Sequence, residues 1–143
     1  MKNILSRTSE DTFNFGRTLG SGIKSGITIS LEGDLGSGKT TFTQGLAKGL
    51  GVSDQYIITS PTFTLINEYP AAPLTLYHLD LYRLSSYDEL SDIGFEELLK
   101  NTGVIVVEWP QILKKNNFPF DMNIKFDFDR DYNRIISLGT RTK

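Results

Sequence analysis

The sequence predicts an α/β fold of three layers, a mixed sheet between helices with a C-terminal antiparallel hairpin. Three observations carry this. The alternating stretch Ile27 to Leu31 runs through a glycine-rich loop into a helix-like stretch, Thr40 to Leu50. The apolar run Val104 to Val107 has the composition of a strand buried on both faces, as in parallel sheets. The segments MNIKFDF and RIISLG alternate on either side of Arg130 to Asn133, as the arms of a hairpin do.

With 143 residues, 38% of them hydrophobic and 22% charged, the chain reads as one domain over residues 1–143 with enough apolar surface for a core. It has no cysteine, which excludes disulfides, thiolate metal sites and thiol catalysis. That usage fits a reducing compartment, so the cytoplasm is the expected location. Neither an apolar core of signal-peptide length near the start nor an apolar run of about 18 residues occurs, and no membrane is expected. A net charge of −2 supplies no general attraction to nucleic acid. Arg130, Arg134, Arg141 and Lys143 against Asp131 nevertheless leave the last fourteen residues at net +3. That tail reads either as a solvated basic end or as a surface facing RNA.

Taken in order, Ser9 is placed to cap a helix in which Thr12, Phe15, Leu19 and Ile23 recur at near-helical spacing, ending near Gly26. The strand Ile27 to Leu31 follows, then the glycine loop, then the helix Thr40 to Leu50 closed by Gly51. In LTLYHLDLYRL a second strand puts Leu74, Leu76, His78 and Asp80 on one face, because side chains alternate. Ser86 and Glu89 stand at capping-box spacing before a short helix pair interrupted at Gly94. GVIVVEW is a buried strand ending in Glu108. No repeat, low-complexity tract or linker divides the chain, so all strands are expected in one sheet.

The glycines carry the chemistry. Gly33-Asp34-Leu35-Gly36-Ser37-Gly38-Lys39-Thr40 fits G-x-x-x-x-G-K-[ST], a loop whose backbone N–H groups curl around phosphates, aided by the positive end of the following helix. A strand before it and a helix after it are the context a P-loop requires, so the expected fold is P-loop NTPase-like. Lys39 is expected to reach the β- and γ-phosphates and the Thr40 hydroxyl to hold Mg²⁺.

Mg²⁺ needs further oxygen ligands. Glu108 is the first candidate, since a buried strand delivers it to the C-terminal edge where open α/β sheets bind ligands. It would act on Mg²⁺ or on the attacking water; the alternative is a surface glutamate capping the strand. Asp80 is the second candidate, because a charge on an apolar face is costly unless paired. It belongs either to the site or to a buried salt bridge with Arg83. His78, the sole histidine, reads as a hydrogen-bonded structural residue ahead of a proton carrier. Trp109 either faces nucleotide or a partner, or simply packs.

Gly33 to Thr41 as GDLGSGKTT, Ser60 to Phe63 as SPTF, Tyr77 to Leu84 as YHLDLYRL and Glu108 to Pro110 as EWP, in that order, strongly resemble the TsaE family, also called YjeE. These are small bacterial P-loop ATPases of the tRNA threonylcarbamoyladenosine pathway, and the resemblance spans roughly residues 9 to 139. It implies binding of ATP and Mg²⁺ and slow ATP hydrolysis. It further implies association with TsaB and TsaD, the pair that transfers a threonylcarbamoyl group to adenosine 37 of tRNAs reading ANN codons, so that tRNA is met only through the complex.

Carried over by position, the resemblance implies that Lys39 grips phosphate, Thr40 and Glu108 bind Mg²⁺ and Asp80 lies at the phosphate end, with Lys39, Asp80 and Glu108 as the catalytic set. Gly33 to Thr41 would bind ATP together with Arg134, which is preferred to Arg130 as the hairpin arginine, and with Ser9 and Thr12 near the adenine. Thr62 would occupy a switch-like loop and, with Trp109, is a candidate for facing the partner. Gln111 stands where many relatives carry an acid.

Two other classes compete. A small-molecule or nucleoside kinase would share the P-loop, but it needs positive charge over the phosphates and a closing lid. Only Arg83 lies between Lys39 and Arg130 among the arginines. A GTPase would need a guanine-reading Asn-Lys-x-Asp, which does not occur. A binding module for which nucleotide is a regulatory ligand is the third option.

Overall fold

The computed structural model describes residues 2–34 and 36–141. In chain order the elements are β1 (Lys2–Ser6), α1 (Ser9–Gly22), β2 (Ile27–Glu32), α2 (Lys39–Leu50), β3 (Ile66–Tyr69), β4 (Thr75–Asp80), α3 (Glu89–Asp92), α4 (Phe95–Lys100), β5 (Gly103–Glu108), α5 (Gln111–Lys115), β6 (Met122–Phe128) and β7 (Arg134–Thr140). The strands form one mixed sheet in the order β1-β7-β6-β2-β5-β4-β3. Its centre, β6-β2-β5-β4, is parallel, while β3, β7 and β1 add antiparallel edges. The expected mixed sheet and C-terminal hairpin are both present.

Every residue of β5 is buried, as its apolar run requires of a strand covered on both faces. Val104 and Val106 face a core shared with Phe42, Leu46 and Leu50 of α2, and Ile105 and Val107 face a second core with Leu90, Phe95 and Leu113. These two cores on opposite faces of the sheet make the three layers. In β4, Leu76 shares the α2 side while Tyr77 and Leu79 face the other, so His78 and Asp80 fall on the α2 side by alternation.

α1 and α2 pack unusually closely because glycines meet backbone. A Cβ at Gly45 would land on the Phe13 carbonyl oxygen, and one at Gly49 on that of Arg17. Gly16 likewise faces the Phe42 carbonyl. We expect Gly45→Ala to cost about 3 kcal/mol, the upper end for overpacking, since the obstruction is backbone and cannot rotate away. Gly22→Ala, with open space around its Cβ, is the control and should be neutral or stabilising. Urea unfolding of the two variants reads the difference; equal midpoints would refute the close-packing account.

Three local expectations need correction. The cap of α1 is Thr8, whose side chain accepts from the Asp11 N–H, and not Ser9. The helix stops at Gly22, because Ile23 already has extended backbone. Glu89 receives Oγ and N–H of Ser85, not of Ser86. The strands β1 and β3 and the short α5 have no counterpart in the sequence reading. At the β6–β7 turn, Asp129 accepts from the N–H groups of Asn133 and Asp131. Partial desolvation pushes its carboxyl upward, but those bonds and the nearby Arg7 charge outweigh it and hold the group below its ordinary value.

Candidate functional site

The C-terminal ends of β2, β4 and β5 open onto a cleft of about 480 Å³ beside the N-terminus of α2. The loop from β2 to α2 turns there through three glycines with positive φ, at +154° (Gly33), +80° (Gly36) and +109° (Gly38). Gly38 is the N-cap of α2 in the left-handed conformation, without a side-chain cap, so the first N–H groups of the helix are left for another acceptor. At Gly33 a Cβ would come within 2.7 Å of the Ser37 hydroxyl and 3.0 Å of the Phe126 carbonyl, so the loop tolerates no side chain there. Leu35, expected among the phosphate-binding residues, lies outside the described residues.

Lys39, 6% exposed, opens α2 and points into this cleft. Its ammonium donates to the Gly33 carbonyl at 2.7 Å, stands 3.8 Å from Glu108 Oε1 and sits 4.5 Å from the centre of the Trp109 ring. Thr40 and Thr41 line the same cleft.

Parallel pairing sets Asp80 directly opposite Glu108. Two neighbouring carboxylates repel unless each has its own partners. Asp80 Oδ2 accepts from the hydroxyls of Ser60 and Thr62, each at 3.3 Å, and Oδ1 from the Tyr82 N–H at 2.9 Å. Arg83 is not its partner; that guanidinium stacks on the Phe63 ring at 4.3 Å. Glu108, 3% exposed, presents Oε1 to Lys39 and holds Oε2 at 2.5 Å from His78 Nε2. The surface-cap reading of Glu108 fails on its burial.

The chain reverses immediately after Glu108. Trp109 has φ +54°, rare for a bulky residue and a form of strain that concentrates at functional sites. The reversal lays its ring over Lys39 and 4.8 Å from that of Tyr82, so it walls the cleft. From the far side, Arg134 at the start of β7 donates Nε to the Ser37 carbonyl at 3.1 Å and Nη2 to the Gly36 carbonyl at 3.4 Å. Arg130 is exposed in the hairpin turn and makes no such contact. Of the other basic residues at this end, Arg141 pairs with Asp121, and Lys143 lies outside the described residues.

The structure thus gathers Lys39, Thr40, Thr41, Thr62, Asp80, Glu108, Trp109 and Arg134 around one cleft. It does not bring Ser9 or Thr12 to its wall. Ser9 is exposed at the start of α1, and Thr12 is fully buried with its hydroxyl 2.6 Å from that of Ser6. Asp34 is exposed and offers its carbonyl to the Ser37 N–H. Sequence reasoning missed Ser60 and Tyr82 as cleft residues and His78 as the partner of Glu108. The signal for His78 was present: one face of β4 carries His78 and Asp80, and Glu108 ends the strand that pairs with it.

Among the described residues no group of three or more His, Cys, Asp or Glu side chains could hold a metal, and no helix is long and apolar enough to cross a membrane. A protein cage is not what Mg²⁺ requires beside phosphates. One or two protein oxygens complete a shell of waters and phosphate oxygens, and Thr40 and Glu108 on one cleft fit that donor set.

Residues 6–136 match the family model described as threonylcarbamoyl adenosine biosynthesis protein TsaE. The tRNA threonylcarbamoyladenosine biosynthesis protein TsaE of Treponema pallidum is 40% identical over 94% of this chain and 98% of its own length. The protein of the same name from Bacillus subtilis is 44% identical over 80% of this chain and 72% of its own. The crystal structure of Bacillus subtilis YdiB superposes with a TM-score of 0.80 at 32% identity, covering 97% of this chain and 84% of that one. With a family model spanning most of its length and relatives of this identity, the chain belongs to the TsaE family of tRNA threonylcarbamoyladenosine biosynthesis.

Proposed function

We propose that this protein is a cytoplasmic ATPase that binds ATP with Mg²⁺, hydrolyses it slowly alone, and supports a TsaB–TsaD pair that modifies adenosine 37 of ANN-decoding tRNAs. The observation that carries the ATPase reading is the meeting of Lys39 and Glu108 under a loop of left-handed glycines at the start of α2. Free N–H groups and an ammonium make this an anion site, and two buried carboxylates beside it, Asp80 and Glu108, suit a metal-assisted hydrolysis better than simple phosphate storage.

In this reading the backbone of Gly36 to Thr40 cradles the phosphates, and Lys39 leaves the Gly33 carbonyl to engage them. Arg134 braces the loop through its carbonyls and holds a positive charge at the cleft edge. Glu108 accepts a proton from, or orients, the attacking water, and Trp109 with Tyr82 limits access of bulk water from one side. Bound Mg²⁺, held by Thr40 and Glu108, would offset charge on the phosphates. Arg83 is engaged with Phe63 outside the cleft, and Arg134 alone among the arginines lines it, which accounts for slow turnover without a partner and disfavours a lidded kinase.

Ser60 and Thr62 link the proline-fixed loop to Asp80 through single hydroxyl bonds of 3.3 Å, weak enough to exchange for a phosphate or metal-bound oxygen. The loop therefore suits a switch whose order depends on the nucleotide. We expect affinity for a TsaB–TsaD pair to differ between ATP analogue, ADP and no nucleotide, and Thr62→Ala to reduce that difference while leaving ATP affinity within about fivefold, since phosphate affinity rests mainly on the glycine loop and Lys39 and one long 3.3 Å hydroxyl bond contributes about 1 kcal/mol. Binding of the pair measured in the three states decides it. A wild-type protein that binds the pair equally in all three, or ignores it, refutes the switch.

A further inference from the structure

Resting on the ATPase reading above, we infer that His78 is a positioning residue for Glu108: its Nε2–H holds one carboxylate oxygen so that the other stays turned to the cleft. His78 is completely buried, on the α2 side of β4. In the parallel register it lies opposite Val106, which makes it the diagonal neighbour of Glu108 on the same face, a separation only long side chains span. Its Nε2 stands 2.5 Å from Glu108 Oε2, while its Nδ1 is buried with no hydrogen-bond partner among the described residues.

That unpartnered nitrogen fixes the proton. A buried N–H left without an acceptor is costly, whereas a bare ring nitrogen facing apolar neighbours costs less, so the tautomer is the one with its proton on Nε2. The ring then donates to Oε2, and Oε1 is the oxygen facing Lys39 at 3.8 Å.

The consequence lies in what Glu108 would otherwise do. A buried carboxylate seeks hydrogen-bond donors, and the Lys39 ammonium stands 3.8 Å from Oε1. Without the ring, Glu108 would close from 3.8 Å to hydrogen-bond distance of Lys39, taking its oxygen away from the water and metal positions. Leu76, Val104 and Val106, in the core on the same side of the sheet, carry no side-chain donor. His78 thus separates the acid from the lysine by 3.8 Å and leaves both aimed at the cleft.

Two variants distinguish positioning from packing. In His78→Gln the amide nitrogen can occupy the Nε2 position; in His78→Asn it stops near Nδ1 and cannot reach Glu108. We expect His78→Asn to lower ATP turnover at least tenfold and by more than it lowers ATP affinity, and His78→Gln to restore most of the lost rate. Equal rates in the two variants overturn the inference while leaving the ATPase reading in place. A second readout needs no turnover. In the wild-type protein without nucleotide, long-range ¹H–¹⁵N spectra of the single histidine should show a proton on Nε2 and none on Nδ1. The reverse assignment overturns the inference even if the Asn variant fails to fold. A wild-type protein that neither binds nor hydrolyses ATP, with the Nε2 proton present, refutes the proposed function and confines His78 to a structural bond.

Discussion

Lys39→Ala is expected to weaken ATP binding by about tenfold to a hundredfold and to remove most turnover. A charge-assisted hydrogen bond contributes about 1.5–3 kcal/mol, and this one is made in a site where Lys39 is 6% exposed and water competes poorly. The variant has a second effect. The ammonium is also a neighbour of the buried Glu108, so its removal leaves that carboxylate with His78 as its one close side-chain partner among the described residues. Some loss of stability is therefore expected as well, since breaking a buried pair strands the other charge. Calorimetric titration with ATP separates the effects when run well below the unfolding temperature. Unchanged affinity and unchanged hydrolysis would mean that phosphate does not bind at this loop.

The parts of the fold that sequence made legible are those in which local pattern and tertiary demand agree. β5 is apolar at four consecutive positions because both of its faces are covered, and no surface strand tolerates that. The β6–β7 hairpin alternates because one side packs on the core. The edge strands β1 and β3 are different. Four of the five residues of β1 are not buried, and its strand geometry comes from pairing with β7, an interaction its own sequence does not encode. The cap of α1 shows a subtler loss. Thr8 and Ser9 are both favoured cap residues by type, and the decision falls to Asp11, which stands three residues beyond Thr8 and accepts the Arg7 N–H. The close contact of α1 with α2 was also written in the chain, as glycines four apart at Gly16 and Gly20 and at Gly45 and Gly49, but their meaning depends on which helix faces which.

The candidate site divides in the same way. The loop residues and Lys39 follow from contiguous sequence, because the phosphate cradle is built from one turn of backbone. Glu108 follows from its place at the end of a buried strand. The division of labour between Asp80 and Glu108 does not, because it is set by partners distant in the chain: the hydroxyls of Ser60 and Thr62 for one, the imidazole of His78 for the other. Arg134 and Arg130 are also indistinguishable by spacing around a hairpin turn. Only the hydrogen bonds of Arg134 to the loop carbonyls of Gly36 and Ser37 select the first.

Glu108→Gln is expected to lower ATP turnover by about a hundredfold or more, the scale of a lost general base, while ATP affinity changes by less than about threefold. The substitution keeps the shape of the side chain and an acceptor oxygen for His78 Nε2, so the geometry at the base of the cleft should persist. It removes the negative charge, which acts on water and on Mg²⁺ during reaction far more than on nucleotide already held by the loop and Lys39. Burial sharpens the contrast, because a carboxylate 3% exposed exerts its charge with little screening. Mg²⁺ dependence provides a further check: if Glu108 is a ligand, the variant should need a higher Mg²⁺ concentration for half-maximal rate. Rate and affinity falling in parallel would assign Glu108 to binding. Full activity with a lower unfolding temperature would reduce it to a structural partner of His78 and Lys39, and Asp80, hydrogen-bonded to the switch loop and opposite it in the sheet, would then become the acid to test.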